Sequence, residues 1–548
     1  MQSTTCSYNP GPQDNRFIKP RLLALLLVAW LGLFAGINSI PLEDHEALVL
    51  QTAREMGINQ EWVVPYFNGE PRMNKPPLNY WLTSVLSFLD PFSDDIEPWH
   101  GRAWPIFGGL LLLLFTAYIG NTMYGANVGI IAAALLLGTH GFTKFSHSAR
   151  PDFLYSVLCV LQFFAWIIAW RAKDDFPAQR IYAGLGWMFA ALATLSKGPQ
   201  GPAVFLLGFL MFLLCSEERN RTLKILRPFS GLLVWSALCL PWWWLLQERV
   251  KIVGVNIGET QLSGSLLKTL SSWQEILSLY YVSRLLLLML PASLLLPVVL
   301  YLNRKSLRRF DKSHRWLIFP IATILLVFTI AGHYRPHYML PLLPLSALLL
   351  AAGVEGIPAG RIPDTLWRWL FMSGAASLAV FPVLLIGKQL YATGLLLALA
   401  GLFVTWLLKA ELRTPFWRDH QSGARVLTCS LIAALLFAGF NAYSYRRSYA
   451  GNRDFSVSVG KMIKSSDVLV ALGSFPPVLP YYARHKVVSA SGVAELKSRL
   501  ADKSDGQNFY LVVRQMDLAN LKDIPTNTLL HNKDDKRSDK QMVLVQVL

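Results

Sequence analysis

Apolar residues along this chain gather in blocks of about 18–22, the length an α-helix needs to cross a hydrocarbon layer roughly 30 Å thick. That window predicts about thirteen spanning helices, near 22–40, 104–120, 127–144, 152–170, 181–196, 200–215, 229–246, 281–302, 315–332, 338–354, 367–386, 389–408 and 426–443. The pattern changes after residue 443. Short β-like runs (DVLVALG, NFYLVVR, QMVLVQVL) alternate there with helix-like pieces (GVAELKSRLAD, QMDLANLKD), which predicts a small α/β domain over 444–548. The fold class expected is therefore a polytopic α-helical membrane protein, with a membrane domain over 1–443, a long first external loop over 41–104 and a C-terminal α/β domain.

Charge sets the orientation. The most basic short loops are RAKDDFPAQR, EERNRTLKILR, NRKSLRRFDKSHR and KAELRTPFWRDHQSGAR. Together with Arg16, Lys19 and Arg21 they fall on one side of the predicted alternation, so the N-terminus is expected inside and the C-terminal domain outside. The formal net charge of +17 is then explained by cytoplasmic loops and calls for no nucleic-acid partner. Of the five cysteines, Cys159, Cys215 and Cys239 lie in apolar spans and Cys429 begins one, so no disulfide framework is expected. No small-residue cleavage site follows 22–40, and that segment reads as a retained anchor.

Polar residues at the span ends carry the candidate chemistry. They are Glu43, Asp44, His45 and Glu46 in PLEDHEAL, Lys75 in NKPPLNYW, Arg150 and Asp152 in SARPDFLY, Lys197 in SKGPQGP, Glu259 in GETQ, and His333, Arg335 and His337 in GHYRPHYMLP. None was used to derive the topology, yet it puts all of them on the external side, as residues of one shared cavity would be. Carboxylates there can act as bases or hold a cation, and fixed cations can stabilise a phosphate leaving group. Each residue also has an ordinary reading. Lys75 or Lys197 alone serves as an interfacial anchor, and Arg150 with Asp152 as a local ion pair capping a helix. Pro336 interrupts the His333–His337 spacing, which weakens a metal pair on one helical face. A run of charges after a span is often a solvated face. A common site accounts for all of them together.

The stretch DHEALVLQTAREMGINQEWVVPYFNGEPRMNKPPLNYWL resembles the first external loop of GT-C type polyprenyl-phosphate-dependent glycosyltransferases. Within them it is most similar to the branch that transfers aminoarabinose to lipid A, in the wider protein-mannosyltransferase-like group. RPDFLY, LSKGPQGP and PHYMLPLLPLSALLLA match later landmarks in the same order. The resemblance implies a multi-pass enzyme of the bacterial inner membrane, with its active site at the periplasmic surface and an undecaprenyl-phosphate-linked sugar as donor. It implies Asp152 as the second-loop acid and Lys75 as a contact to donor phosphate or acceptor, and it puts Arg54, Glu55 and Met56 on an amphipathic interfacial helix. At the first-loop position the family's Asp-Glu is replaced by His45–Glu46, with Asp44 one step earlier. The catalytic role therefore stays open among Asp44, His45 and Glu46. Arg150, Lys197, Arg335, His337 and Tyr338 are expected with Lys75 in the substrate site, and Asp44 with Glu46 is the pair to examine for a divalent metal. The expected acceptor is lipid A or lipopolysaccharide. The alternatives are a protein acceptor, a flippase of a lipid-linked substrate, and a sensor reading a ligand through its external domain.

Overall fold

The computed structural model describes residues 18–34, 36–172, 175–214, 219–253, 279–304, 312–331, 334–357, 382–383, 385–387, 391–411, 421–501, 507–532 and 541–548. The chain is mostly helical. It opens with α1 (Ile18–Phe34), followed by an external loop that holds α2 (Asp44–Asn59), a two-strand hairpin of β1 (Tyr66–Phe67) and β2 (Glu70–Pro71), and α3 (Leu78–Leu89). The bundle continues through α4 (Pro98–Tyr124), α5 (Ala126–Leu137), α6 (His140–Phe145), α7 (Pro151–Arg171), α8 (Phe176–Lys197), α9 (Gln200–Leu214), α10 (Arg219–Leu226) and α11 (Pro228–Val253). Beyond these lie α12 (Tyr280–Leu288), α13 (Leu296–Leu302), α14 (Lys312–Ala331), α15 (Leu342–Glu355), α16 (Tyr391–Glu411) and α17 (Gln421–Met462).

Five helices among the described residues are long and apolar enough to cross a membrane: Pro98–Tyr124, Pro151–Arg171, Arg219–Ile252, His314–Ala331 and Val426–Met462. The pair Tyr280–Leu288 and Ala292–Leu302, bent by 106°, makes a sixth if it counts as one broken span. Five of the expected spans, 104–120, 152–170, 229–246, 315–332 and 426–443, fall on these helices, 281–302 falls on the bent pair, and 181–196 falls on α8. The spans expected at 22–40, 127–144, 200–215, 338–354 and 389–408 fall on the shorter apolar helices Leu25–Phe34, Ala126–Leu137, Gln200–Leu213, Leu342–Glu355 and Thr393–Leu402. A hydropathy window counts apolar residues across a break that ends the helix. Leu137 is one such end: the chain turns at Gly138, where an added Cβ would lie 2.7 Å from the Ser430 carbonyl of α17. Most of the expected span at 367–386, Glu259 and His333 lie outside the described residues.

α7 is the centre of the bundle, with 94% of its apolar window enclosed by protein. Its Phe163, Phe164 and Trp166 are fully buried. It runs against α8 in the most extensive helix pairing among the described residues.

A five-stranded sheet ends the chain, ordered β4 (Val487–Ala490), β3 (Val468–Leu472), β5 (Phe509–Arg514), β7 (Met542–Val547), β6 (Thr526–His531). β3 pairs in parallel with β4 and β5, and β7 is antiparallel to β5 and β6. Side chains alternate between the two faces of a strand. Leu469, Ala471, Tyr510 and Val512 thus pack on Phe455, Val459 and Ile463 at the end of α17. Val470, Leu472, Leu511 and Val513 cover the other face, with Leu496 of α18 (Val493–Ala501). α17 runs unbroken for 42 residues, through the expected domain boundary at 443/444.

The first loop docks on this C-terminal unit. α2 carries Arg54, Glu55 and Met56, the residues expected on an amphipathic interfacial helix. Its apolar side, Ala47, Val49, Leu50, Ala53 and Met56, packs with Tyr80, Ile96, Val478 and Tyr481. Arg54 donates to Asp95 at 2.6 and 3.0 Å and to the Tyr481 carbonyl at 2.9 Å. Asn68 and Gly69 turn the hairpin with positive φ at both positions, the conformation Asn-Gly suits. Glu55 accepts their two N–H groups, at 2.6 and 2.9 Å. The freed Asn68 side chain bridges to the edge of β4, donating to the Val487 carbonyl and accepting its N–H.

Candidate active site

Two helix ends meet where the site forms. Arg150 is the N-cap of α7, Pro151 follows it, and Asp152 sits in the first turn, where the partial positive charge of the helix end favours a carboxylate. Lys197 is the last residue of α8, where a cation is favoured for the opposite reason. Because α7 and α8 run antiparallel, both side chains reach one point. Asp152 Oδ1 accepts from Lys197 Nζ at 2.5 Å, and Oδ2 from Arg150 Nε at 3.0 Å. His337 Nε2 stands 3.4 Å from Oδ1, presented by the 3-10 turn Pro336–Met339. Burial, outweighing the pull of Asp152, brings His337 down to about 3, so it faces Asp152 as a neutral imidazole. With these donors on both oxygens, Asp152 is an organiser of cations and a poor base.

Aromatic rings wall the cluster. The Lys197 ammonium lies 4.9 Å from the Tyr338 ring centroid and 5.5 Å from that of Tyr155. Tyr338 stacks on Phe328 at 4.9 Å.

The acidic quartet divides. Glu43 joins the cluster: its Oε1 accepts from Arg150 Nη1 at 3.1 Å, so Arg150 bridges Glu43 and Asp152. Tyr445 of α17 donates to Glu43 Oε2 at 3.3 Å. His45 stands exposed at the mouth. Desolvation and then the Arg150 charge hold its pKa below the usual imidazole value, against the opposing pull of Glu43, Asp152 and Asp44. It is a neutral base at pH 7. Asp44 is the first residue of α2, beside it.

Glu46 does not join the site, and neither the catalytic nor the metal reading fits it. It is 0% exposed and forms a buried pair with Arg102, 2% exposed. Its Oε1 accepts from Arg102 Nε and from Ala149 N–H, both at 2.9 Å. Its Oε2 accepts from Arg102 Nη2 at 2.8 Å and from Glu43 N–H at 3.1 Å. Those four bonds use the acceptor capacity of a carboxylate. Burial alone would raise the Glu46 pKa, but Arg102 and these hydrogen bonds hold it lowered. Arg102 spends its other donors on the carbonyls of Ile37, Ile40 and Pro41. Glu46 thus ties the first loop, α4 and the Ala149–Arg150 approach into one unit. Among the described residues no group of three or more His, Cys, Asp or Glu side chains has a metal-binding arrangement.

Lys75, in the loop before α3, completes the charge pattern. Burial and then the neighbouring Lys197 charge lower its pKa to about 8, with Asp152 opposing. No carboxylate pairs with it among the described residues. Arg335 is exposed at the rim and adds a further positive charge near His337. The structure therefore gathers Asp152, Arg150, Lys197, His337 and Tyr338, with Lys75 and His45 beside them.

The protein family described as dolichyl-phosphate-mannose-protein mannosyltransferase matches residues 74–245. An uncharacterised protein of Aquifex aeolicus is 26% identical over 61% of this chain, which spans 64% of that protein. The undecaprenyl phosphate-alpha-4-amino-4-deoxy-L-arabinose arabinosyl transferase of Pectobacterium carotovorum is 24% identical over 75% of this chain and 74% of its own length. Among solved structures, ArnT of Cupriavidus metallidurans bound to undecaprenyl phosphate superposes with a TM-score of 0.70 at 18% identity, covering 97% of this chain and 98% of the other. Its apo form gives a TM-score of 0.72 over 96% and 98%. The resemblance read from the sequence holds. The fold is that of ArnT of Cupriavidus metallidurans, and the relatives with a stated activity are glycosyltransferases.

Proposed function

We propose that this chain is an integral inner-membrane glycosyltransferase that moves a sugar from an undecaprenyl-phosphate carrier to an envelope acceptor, lipid A or lipopolysaccharide, at the periplasmic face. Residues 1–443 would form the membrane part and 444–548 an external α/β unit. The observation that carries the reading is the surplus of cations around Asp152: Lys75 lies in the field of Lys197 without a carboxylate of its own. A donor phosphate fills that place.

In the reaction an acceptor oxygen attacks the anomeric carbon and the bond from that carbon to the phosphate oxygen breaks, leaving undecaprenyl phosphate. Negative charge grows on the departing phosphate, next to Lys75 and Lys197. Fixed cations that need not reorganise stabilise that charge, and one such group is worth about 10²–10³ in rate. Asp152 keeps Lys197 and Arg150 aimed, and Glu43 holds the far side of Arg150. Tyr338 supplies a flat wall for a sugar ring. A phosphate acceptor arrives as an oxyanion and needs no base. A hydroxyl acceptor needs one, and the neutral His45 at the mouth is suited to it. That placement supports a second reading, transfer to a protein hydroxyl.

The test is transfer of label from undecaprenyl-phosphate sugar by the full chain in nanodiscs, with lipid A and a Ser/Thr-rich protein as competing acceptors, alongside mass spectrometry of lipid A from cells with and without the protein. Label reaching neither acceptor, with lipid A unchanged in mass, overturns the proposal.

A further inference from the structure

Two like charges in each other's field push apart, and Lys75 and Lys197 are such a pair. Asp152 holds Lys197 through an ion pair. No carboxylate does this for Lys75 among the described residues, so its loop has to be held by neutral contacts. The sequence places a polar residue close to each lysine: Asn79, four positions after Lys75, and Ser196, just before Lys197.

These two meet across 117 positions of chain. Asn79 Nδ2 donates to the Ser196 carbonyl at 2.9 Å and to the Ser196 hydroxyl at 3.0 Å, and that hydroxyl stands 3.4 Å from Asn79 Oδ1. Both residues are buried, Asn79 at 7% and Ser196 at 0% exposure. The Ser196 carbonyl lies in the last turn of α8, where a helix has no further N–H to offer its carbonyls. The Asn79 amide supplies that donor. The near end of the loop is fixed as well: Arg72 donates its N–H to the Pro65 carbonyl at 2.7 Å and its Nη1 to the Tyr80 hydroxyl at 2.6 Å. Pro76 and Pro77 stiffen the stretch between. An aspartate in place of Asn79 would have the same shape, but it offers no N–H to a carbonyl and would cancel part of the positive charge gathered there.

We propose that Asn79 is a positioning residue of the donor-phosphate site: its amide clasps the end of α8 and so fixes the separation of the Lys75 and Lys197 ammonium groups. The proposal rests on the donor reading of those lysines given above and adds what holds them together. Asn79 acts only through the two cations. The charged groups around Lys75 are Lys197 and Arg72, which disfavour its protonation, and Asp152, which favours it. Lys197 outweighs Asp152, and a loosened loop is better hydrated, so releasing the clasp moves the ionisation of Lys75 to higher pH.

The first measurement reads Lys75 with no donor present. The full chain in nanodiscs is acetylated with trace acetic anhydride from pH 6.5 to 10, and the Lys75 peptide is followed by mass spectrometry. Wild type should break at about 8. The break should move to higher pH in Asn79→Ala and in Asn79→Ser, whose hydroxyl stops one atom short of the amide nitrogen. It should stay in place in Thr83→Val, which removes a buried hydroxyl one turn further along α3 and leaves the clasp intact. The second measurement is undecaprenyl phosphate binding by the monodisperse folded fraction. Asn79→Ala should weaken it about threefold to tenfold at pH 7 and shrink the further loss between pH 7 and pH 9.5. In a Lys75→Ala background the same substitution should add less than about twofold, because the group it positions is gone. A Lys75 break unmoved in both Asn79 variants overturns the clasp. So does an Asn79→Ala effect that adds in full to that of Lys75→Ala, which would make it a general loosening of the fold. A break that moves as expected, with Lys75→Ala binding undecaprenyl phosphate as tightly as wild type, keeps the clasp and refutes the donor reading.

Discussion

Lys75 gives the sharpest test of the donor site, because its charge is within reach of an ordinary buffer. An amine at about 8 is cationic at pH 7 and mostly neutral at pH 9. A phosphate monoester has its second ionisation near pH 6 and stays a dianion across that window, so any change in affinity above pH 7 belongs to the protein. The sign follows. Undecaprenyl phosphate should bind with constant affinity up to about pH 7.5 and lose up to about tenfold per unit above pH 8. The loss should stop at the affinity of Lys75→Ala. A charge-assisted bond is worth about 1.5–3 kcal/mol, so Lys75→Ala should weaken binding by about 10–150-fold at pH 7. Lys75→Arg should remove the pH dependence, since a guanidinium stays charged throughout. The assay is titration of undecaprenyl phosphate into nanodisc-embedded protein from pH 6.5 to 9.5. A wild-type affinity that is flat to pH 9.5, or a Lys75→Ala curve with the same slope as wild type, refutes the placement of the phosphate at Lys75.

Glu46→Gln and Glu43→Gln should separate structure from chemistry. The first breaks a buried pair and should cost about 3–5 kcal/mol in unfolding free energy; the second, on a partly exposed carboxylate, should leave Tm close to wild type while lowering transfer by an order of magnitude or more. Thermal melts with a transfer assay on the folded fraction decide between them, and equal effects of the two on both readouts would count against the division of the quartet. Asp152→Asn should abolish measurable transfer and weaken undecaprenyl phosphate binding, because Lys197 and Arg150 lose their common anchor; retained turnover within tenfold of wild type would contradict its organising role. Asn68→Ala removes both bonds to Val487 and should loosen the C-terminal unit by about 1–3 kcal/mol, seen as faster amide exchange in β4; unchanged exchange there would refute the latch.

Much of the site was legible because its parts obey local rules. Asp152 follows Arg150–Pro151 at a helix start, Lys197 precedes a glycine at a helix end, and His337 sits in a proline-bounded turn, so their place at span ends could be read from the string. The roles inside the acidic quartet could not. Adjacent residues at a helix N-terminus diverge by about 100° each, and which acid meets Arg150 depends on Arg102, more than fifty positions away. A signal was present all the same. Glu43 and Glu46 have the spacing of an N-cap and its third helical residue, the arrangement that turns the second acid back onto the backbone. The helix ends were less legible for a different reason: apolar composition does not record where close packing, as at Gly138 against Ser430, ends a helix. Tyr445 was illegible because its partner lies about 400 residues earlier in the chain.

The unbroken α17 carries Tyr445 at one level and, about three to five turns on, the Phe455, Val459 and Ile463 seat of the sheet. A continuous helix has a fixed phase. Inserting a single residue between Tyr445 and Phe455 would turn everything beyond it by about 100°, prising β4 from Asn68 and the Tyr482 hydroxyl from the Leu42 N–H it accepts at 3.1 Å in the same motion. Four inserted residues would nearly restore the angle yet raise the unit by about 6 Å, out of reach of the loop. The reaction centre and its external cap are thus threaded on one screw, and the sequence between them tolerates substitution far more readily than a change in length.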